Sequence, residues 1–80
     1  MKVLIVEDEA GITNFLEQGL QEEGYEVLTA QNGKIGLMAA RNEIPDIILL
    51  DWMLPEMSGL EVCQKLRASG SDIPIIFLTA

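Results

Sequence analysis

Eighty residues suffice for one domain or part of one, since domains usually run to about 100–150 residues. An apolar content of 49%, a charged fraction of 22% and a mean hydropathy of +0.26 call for a folded core rather than disorder. Thirteen acids against five bases, a net charge of −8, disfavour nucleic acid and anionic membrane as direct ligands; one cysteine precludes an internal disulfide, and the lack of histidine leaves only hard, oxygen-liking cations as metals.

The first strand is Val3 to Val6, apolar at consecutive positions and so suited to burial on both faces of a parallel sheet. Four apolar residues before Glu7-Asp8-Glu9 are too few for a signal-peptide core or a membrane span, and a cytoplasmic location is the expectation. From Ala10 to Glu23, Ile12, Phe15, Leu16 and Leu20 form a helical stripe predicted to face the core, with Gly24 as the stop. Tyr25 to Ala30 is a more polar strand, suited to a sheet edge, and Gln31-Asn32-Gly33 is predicted to turn the chain. Ile35, Leu37, Met38 and Ala39 open a second helix that ends near Asn42, because Pro45 disfavours helical geometry in the residue before it.

Asp46 leads into Ile47-Ile48-Leu49-Leu50, the most apolar strand. A loop from Asp51 to Ser58 precedes a helix whose buried stripe is predicted as Leu60, Cys63 and Leu66, ending around Gly70, and the last strand runs from Ile73 to Thr79 with Pro74 near its start. Cys63 on that stripe is a packing residue rather than a redox centre. Strand alternating with helix throughout signifies stacked βαβ units in an α/β sheet.

Acids stand at the carboxyl ends of the two most apolar strands: Glu7 and Asp8 after the first, Asp51 after the third. Open α/β sheets bind ligands outside those ends. If the two strands are neighbours, about 4.8 Å apart, the carboxylates converge, and three converging carboxylates either rise in pKa or hold a cation. Mg²⁺ takes one or two carboxylates and commonly works with a phosphate; Thr79 would add a hydroxyl on the same rim. Taken singly, Glu7-Asp8-Glu9 suits the positive end of the following helix, Asp51 suits a loop or cap, and Thr79 is an ordinary strand residue. The combination is what points to phosphoryl transfer.

The runs Val-Leu-Ile-Val-Glu7-Asp8-Glu9, Pro45-Asp46-Ile-Ile-Leu-Leu-Asp51-Trp-Met53-Leu-Pro55-Glu-Met-Ser58-Gly59 and Pro74-Ile-Ile-Phe-Leu-Thr79-Ala80 resemble, in order and spacing, the receiver domain of bacterial two-component response regulators. The resemblance implies a flavodoxin-like, doubly wound parallel sheet, here a truncated (βα)3β in the order 2-1-3-4, with residues 1–80 an incomplete domain lacking a fifth strand and two helices. It also implies a regulatory phosphoacceptor rather than an enzyme, loaded on Asp51 by a sensor histidine kinase. Mg²⁺ would be held by Glu7, Asp8, Asp51 and the backbone carbonyl of Met53; Thr79 would contact the phosphoryl group and carry the switch; Pro55 and Gly59 would shape the loop. The family's lysine at the end of the fifth strand has no counterpart in Lys2, Lys34 or Lys65.

With that strand order, right-handed crossovers put the first helix on one face and the next two on the other, leaving one face under-covered. The fourth strand then becomes an apolar edge, and self-association through it is expected. Two other functions fit the sequence poorly. An aspartyl-phosphate phosphatase wants a second acid two residues after its nucleophile, where Met53 stands, and a P-loop enzyme needs a glycine-rich run ending in Lys-Ser or Lys-Thr, which is lacking. The alternative that stays open is a receiver fragment, truncated or engineered, that folds or self-associates without functional phosphorylation. Trp52, the single indole, is a reporter for the pocket beside it.

Overall fold

The computed structural model describes residues 1–78. Its elements are β1 (Lys2–Val6), α1 (Ala10–Glu22), β2 (Glu26–Ala30), α2 (Gly33–Glu43), β3 (Ile47–Asp51), α3 (Gly59–Ala68) and β4 (Ile75–Leu78). The strands form one parallel sheet in the order β2-β1-β3-β4, a truncated flavodoxin-like α/β architecture. The polar strand β2 lies at an edge and the apolar β1 and β3 lie inside, as their compositions demand.

Side chains alternate across each strand. Leu4 and Val6 of β1 and Ile48 and Leu50 of β3 point to the face covered by α2 and α3, where they close a core with Leu37, Ala40, Val62 and Leu66. Each of the leucine, isoleucine and valine side chains contributes on the order of 1.5–3 kcal/mol through burial. Val3 and Ile5 are buried on the opposite face, toward α1. The register starts at the bottom of the sheet: the Lys2 amide donates to Asp46 Oδ2 at 2.7 Å, and the Asp46 amide returns a bond to the Lys2 carbonyl at 2.8 Å.

Three expectations need correcting. The stripe on α1 is not buried: no residue of that helix is, and Phe15 is 78% exposed. Leu16 and Leu20 are half-buried, and Ile12, Phe15 and Leu16 line an open hollow shared with Phe77 and Leu78 of β4 rather than a closed core. On α3 the buried positions are Gly59, Val62 and Leu66, with Leu60 exposed and Cys63 half-buried. Leu66 sits four residues after Val62, so that pair shares the sheet-facing direction and the helix is rotated by a residue from the predicted stripe. Gly33 is not a turn residue but the first of α2, capped by Asn32 Oδ1, which accepts from the Ile35 amide at 2.8 Å.

The predicted stops hold. Gly24 (φ 89°) and Gly70 (φ 90°) take left-handed backbone just past α1 and α3. α2 runs one residue beyond the expected end, to Glu43, and closes on Ile44 in the left-handed region at φ 45° before Pro45.

Candidate functional site

The register decides what meets at the top of the sheet. Val6 pairs with Leu50, so the residues that follow, Glu7 and Asp51, stand side by side where β1 and β3 end. The Glu7 amide continues the ladder by donating to the Ala30 carbonyl at 3.0 Å, which fixes its backbone between β2 and β3. Glu7 and Asp51 are buried, at 5% and 9% exposure, and Asp8 is open to solvent. One carboxylate oxygen from each of the three lies within 4.8 Å of the other two.

Short-range backbone bonds hold two of these acids. Glu7 Oε2 accepts from the Glu9 amide at 2.9 Å, and Asp51 Oδ1 accepts from the Met53 amide at 3.3 Å. Thr13, one turn into α1, donates its hydroxyl to the Glu7 carbonyl at 3.4 Å. Burial pushes the Glu7 carboxyl above its ordinary value; the Glu9 amide opposes this, and Asp8 and Asp51 push it further up. The α1 N-terminus, immediately after Glu9, offsets part of the accumulated negative charge.

The loop 52–58 returns the chain so that α3 starts against the acceptor strand. The Gly59 amide donates to the Trp52 carbonyl at 3.0 Å, and Ser58 Oγ caps α3 by accepting from the Glu61 amide at 3.2 Å. A β-carbon on Gly59 would overlap the Asp51 carbonyl oxygen and lie 3.0 Å from the Asp51 carbonyl carbon, so only glycine permits this approach. Met57 donates its amide to the Pro55 carbonyl at 2.7 Å across Glu56, which is held at φ 69°. Trp52 packs edge-on against Phe77 with ring centroids 5.0 Å apart, tying the loop to β4, while Met53 is 70% exposed.

Glu7, Asp8 and Asp51 therefore come together, with Met53 bonded to Asp51 through its amide. Thr79 lies outside the described residues. Two contributors were not legible from motifs: Gly33, whose β-carbon would lie 2.6 Å from the Met57 carbonyl oxygen, and Gly36, whose β-carbon would lie 2.7 Å from Val6 Cγ1. Both are close approaches between residues distant in sequence; in a single sequence Gly33 reads as a turn residue and Gly36 as a glycine inside a helical pattern.

The donors suit a hard divalent ion. They are all carboxylate oxygens, two of them sheltered, within a span that one cation could bridge, and no buried side-chain nitrogen or oxygen among the described residues lacks a partner. No helix among the described residues is long and apolar enough to cross a membrane.

A parallel α/β sheet with an acidic pocket outside the carboxyl ends of its central strands defines the class of doubly wound, switch-point domains. Residues 3–80 match the response regulator receiver domain family, and the chain belongs to it. It is 51% identical over 79 residues to the probable transcriptional regulator ycf27 of Pyropia yezoensis, covering 99% of this chain and 32% of that protein. It is 46% identical over 79 residues to the alkaline phosphatase synthesis transcriptional regulatory protein PhoP of Bacillus subtilis, covering 99% and 33%.

Among solved structures, the response regulator protein TrrA from Thermotoga maritima in complex with Mg(2+)-BeF superposes with a TM-score of 0.92 at 43% identity, covering 99% of this chain and 69% of that one. The N-terminal domain of a response regulator receiver protein from Methanoculleus marisnigri gives 0.95 at 33% identity, covering 99% and 66%. The chain thus spans about a third of the curated relatives and two thirds of the solved receiver chains.

Proposed function

We propose that Asp51 is the phosphoacceptor of this receiver and that Glu7, Asp8, Asp51 and the Met53 carbonyl hold Mg²⁺. The convergence of three carboxylate oxygens within 4.8 Å at the end of β1 and β3 carries this proposal. Bound there, Mg²⁺ would neutralise charge on the phosphoryl oxygens and the carboxylates together. In the transfer an Asp51 carboxylate oxygen forms the new bond to phosphorus while the bond from phosphorus to the donor's imidazole nitrogen breaks. The electron pair leaves with the imidazole, and Asp51 becomes an acyl phosphate. The amide of Met53 holds the acceptor carboxylate in place, and the Trp52–Phe77 contact covers the loop beside it.

The donor is a sensor histidine kinase, and the Thr79 hydroxyl engages the transferred group and carries the switch. The Mg(2+)-BeF complex of the Thermotoga relative supports the metal and phosphoryl assignments. Relatives described as transcriptional regulators support a place in gene control for the whole protein, with the module regulatory rather than enzymatic and working in the cytoplasm. Residues 1–80 are the first two thirds of the domain, and a lysine supplied elsewhere completes the site: Lys2 is occupied at the far end of β1 with Glu43, and Lys34 and Lys65 ride on α2 and α3.

The test is incubation with acetyl phosphate and Mg²⁺, followed by intact mass. A single phosphoryl adduct that vanishes in Asp51→Asn is expected. An adduct that persists in that variant overturns the assignment of Asp51.

One observation favours a second property. Among the described residues β4 pairs only with β3, its Ile76 is 51% exposed, and beside it a cavity of about 550 Å³ is lined by Ile12, Phe15, Leu16, Phe77 and Leu78, with Glu7 at one side. Such an edge supports self-association of the 80-residue chain. Sedimentation showing a monomer at high concentration would refute it.

A further inference from the structure

The five bases of this acidic chain are unevenly placed: α1 has none, whereas Lys34 and Arg41 lie on α2 and Lys65 and Arg67 on α3. Between those two helices runs a cleft of about 410 Å³ lined by Leu37, Met57 and Ala68 together with Arg41, Lys65 and Ser69. It continues, through Arg41 and Ser69, into a second hollow of about 300 Å³ that reaches Ile44, which is 72% exposed.

The bases differ in how they are engaged. Arg67 donates to the carbonyls of Ser71 and Ile73 at 3.1 and 2.8 Å, and Lys2 pairs with Glu43 at 3.8 Å. Arg41 and Lys65, which line the cleft, make no ion pair or side-chain hydrogen bond among the described residues. The acids nearby are Glu56 beside Met57, Glu61 one turn before Lys65 on α3, Glu43 already engaged by Lys2, and Asp72, which shares the lower hollow with Arg41. The upper cleft is therefore a trough floored by Leu37 and walled by Met57 and Ala68, with two cations on its rim that make no ion pair among the described residues, in a chain of net charge −8.

We propose that the α2–α3 cleft is a docking groove for an acidic amphipathic helix of a partner protein. A trough between two helices accepts a third helix through apolar anchors spaced at i, i+3 or i+4, and i+7. Met57, Ala68 and Ile44 offer the apolar stations above the buried Leu37, and Arg41 and Lys65 select acidic flanks and exclude basic ones. The groove shares no residue with Glu7, Asp8, Asp51 or Met53, so it can be occupied independently of phosphorylation.

The probe is a labelled, capped helical peptide of about 16 residues with leucine at the anchor positions and glutamate elsewhere, titrated with the 80-residue chain. Fluorescence anisotropy should show saturable binding, and amide chemical shifts should move at Leu37, Arg41, Lys65 and Ala68. Affinity should fall about tenfold in the Arg41→Glu/Lys65→Glu double variant, the combined effect expected for two rim charges, and similarly in high salt. The milder Arg41→Gln/Lys65→Gln pair, with unchanged circular dichroism, should give an intermediate loss.

Equal binding of a peptide with lysine in place of glutamate, unaltered affinity in the double variant, shifts confined to Ile12 and Phe15, or no binding at millimolar concentration would each overturn the proposal. So would concentration-dependent association of the chain alone that the double variant abolishes, since the occupant would then be a second copy.

Discussion

Gly36 and Gly19 are interior residues of α2 and α1, and the same substitution at each should have opposite signs. Replacing glycine by alanine in a helix interior gains about 1 kcal/mol from backbone entropy. At Gly19 nothing lies within 4 Å of the added methyl, so Gly19→Ala should stabilise the chain by about that amount. At Gly36 the methyl would lie 2.7 and 2.8 Å from the two γ-carbons of Val6, a fully buried residue of the central strand.

Ordinary carbon–carbon contact is about 3.5–4.0 Å, so α2 must withdraw from the sheet at the point where Val6 leads into Glu7. Overpacking against two γ-carbons at once falls in the upper part of the usual range, about 2–3 kcal/mol, which outweighs the propensity gain of about 1 kcal/mol and leaves Gly36→Ala destabilised by about 1–2 kcal/mol. The two variants should differ by about 2–3 kcal/mol, which at a urea dependence near 1 kcal/mol per molar separates their midpoints by about 2 M or more. Urea unfolding followed by Trp52 fluorescence measures this directly. Equal shifts of the same sign would refute the claim that α2 is seated on Val6 through a position only glycine can fill.

Other outcomes follow from the site. Gly59→Ala should weaken Mg²⁺ binding more than tenfold while far-ultraviolet dichroism stays close to that of the parent, because the clash falls on the Asp51 backbone; titration of Trp52 fluorescence with Mg²⁺ reads this, and unchanged affinity would count against it. The Glu7 carboxyl is raised by burial, so the folded state binds more protons than the unfolded chain above the ordinary carboxylate pKa. Metal-free stability should therefore fall as pH rises from that ordinary value through the raised one, and Glu7→Gln should flatten the slope and stabilise the metal-free chain at neutral pH. A parallel pH profile in parent and variant would contradict this. Ile44, a β-branched residue at φ 45° and largely exposed, should gain about 0.5–1 kcal/mol on replacement by asparagine, which tolerates that backbone region; thermal unfolding without an increase in midpoint would exclude strain there.

Legibility in the sequence varied by element. Strand β3, an unbroken apolar run from Ile47 to Leu50, is legible to within one residue, the observed strand adding Asp51, and Gly24 and Gly70 mark helix ends where left-handed backbone follows. The three acids were legible because each follows an apolar strand, and their meeting needed only that β1 and β3 be neighbours. The stripe on α3 was misread because Leu60, Cys63 and Leu66 and the observed Gly59, Val62 and Leu66 both satisfy helical spacing. A small residue such as Gly59 carries no hydropathy signal even where it is the closest point of contact.

The sequence by itself determined the succession of strands and helices, the helix stops at Gly24 and Gly70, the parallel class of the sheet and the residue types of the acidic pocket, since these follow from local periodicity, capping and charge; the strand ends moved by one or two residues, β4 beginning at Ile75 rather than Ile73. Only the tertiary structure decided which side of each helix is buried, why the apolar stripe on α1 lines an open hollow rather than a closed core, and why Gly33, Gly36 and Gly59 admit no side chain. The physical reason is common to all three. Periodicity sets the direction in which a side chain points, but burial and clash depend on what lies in that direction, and that neighbour comes from a distant part of the chain.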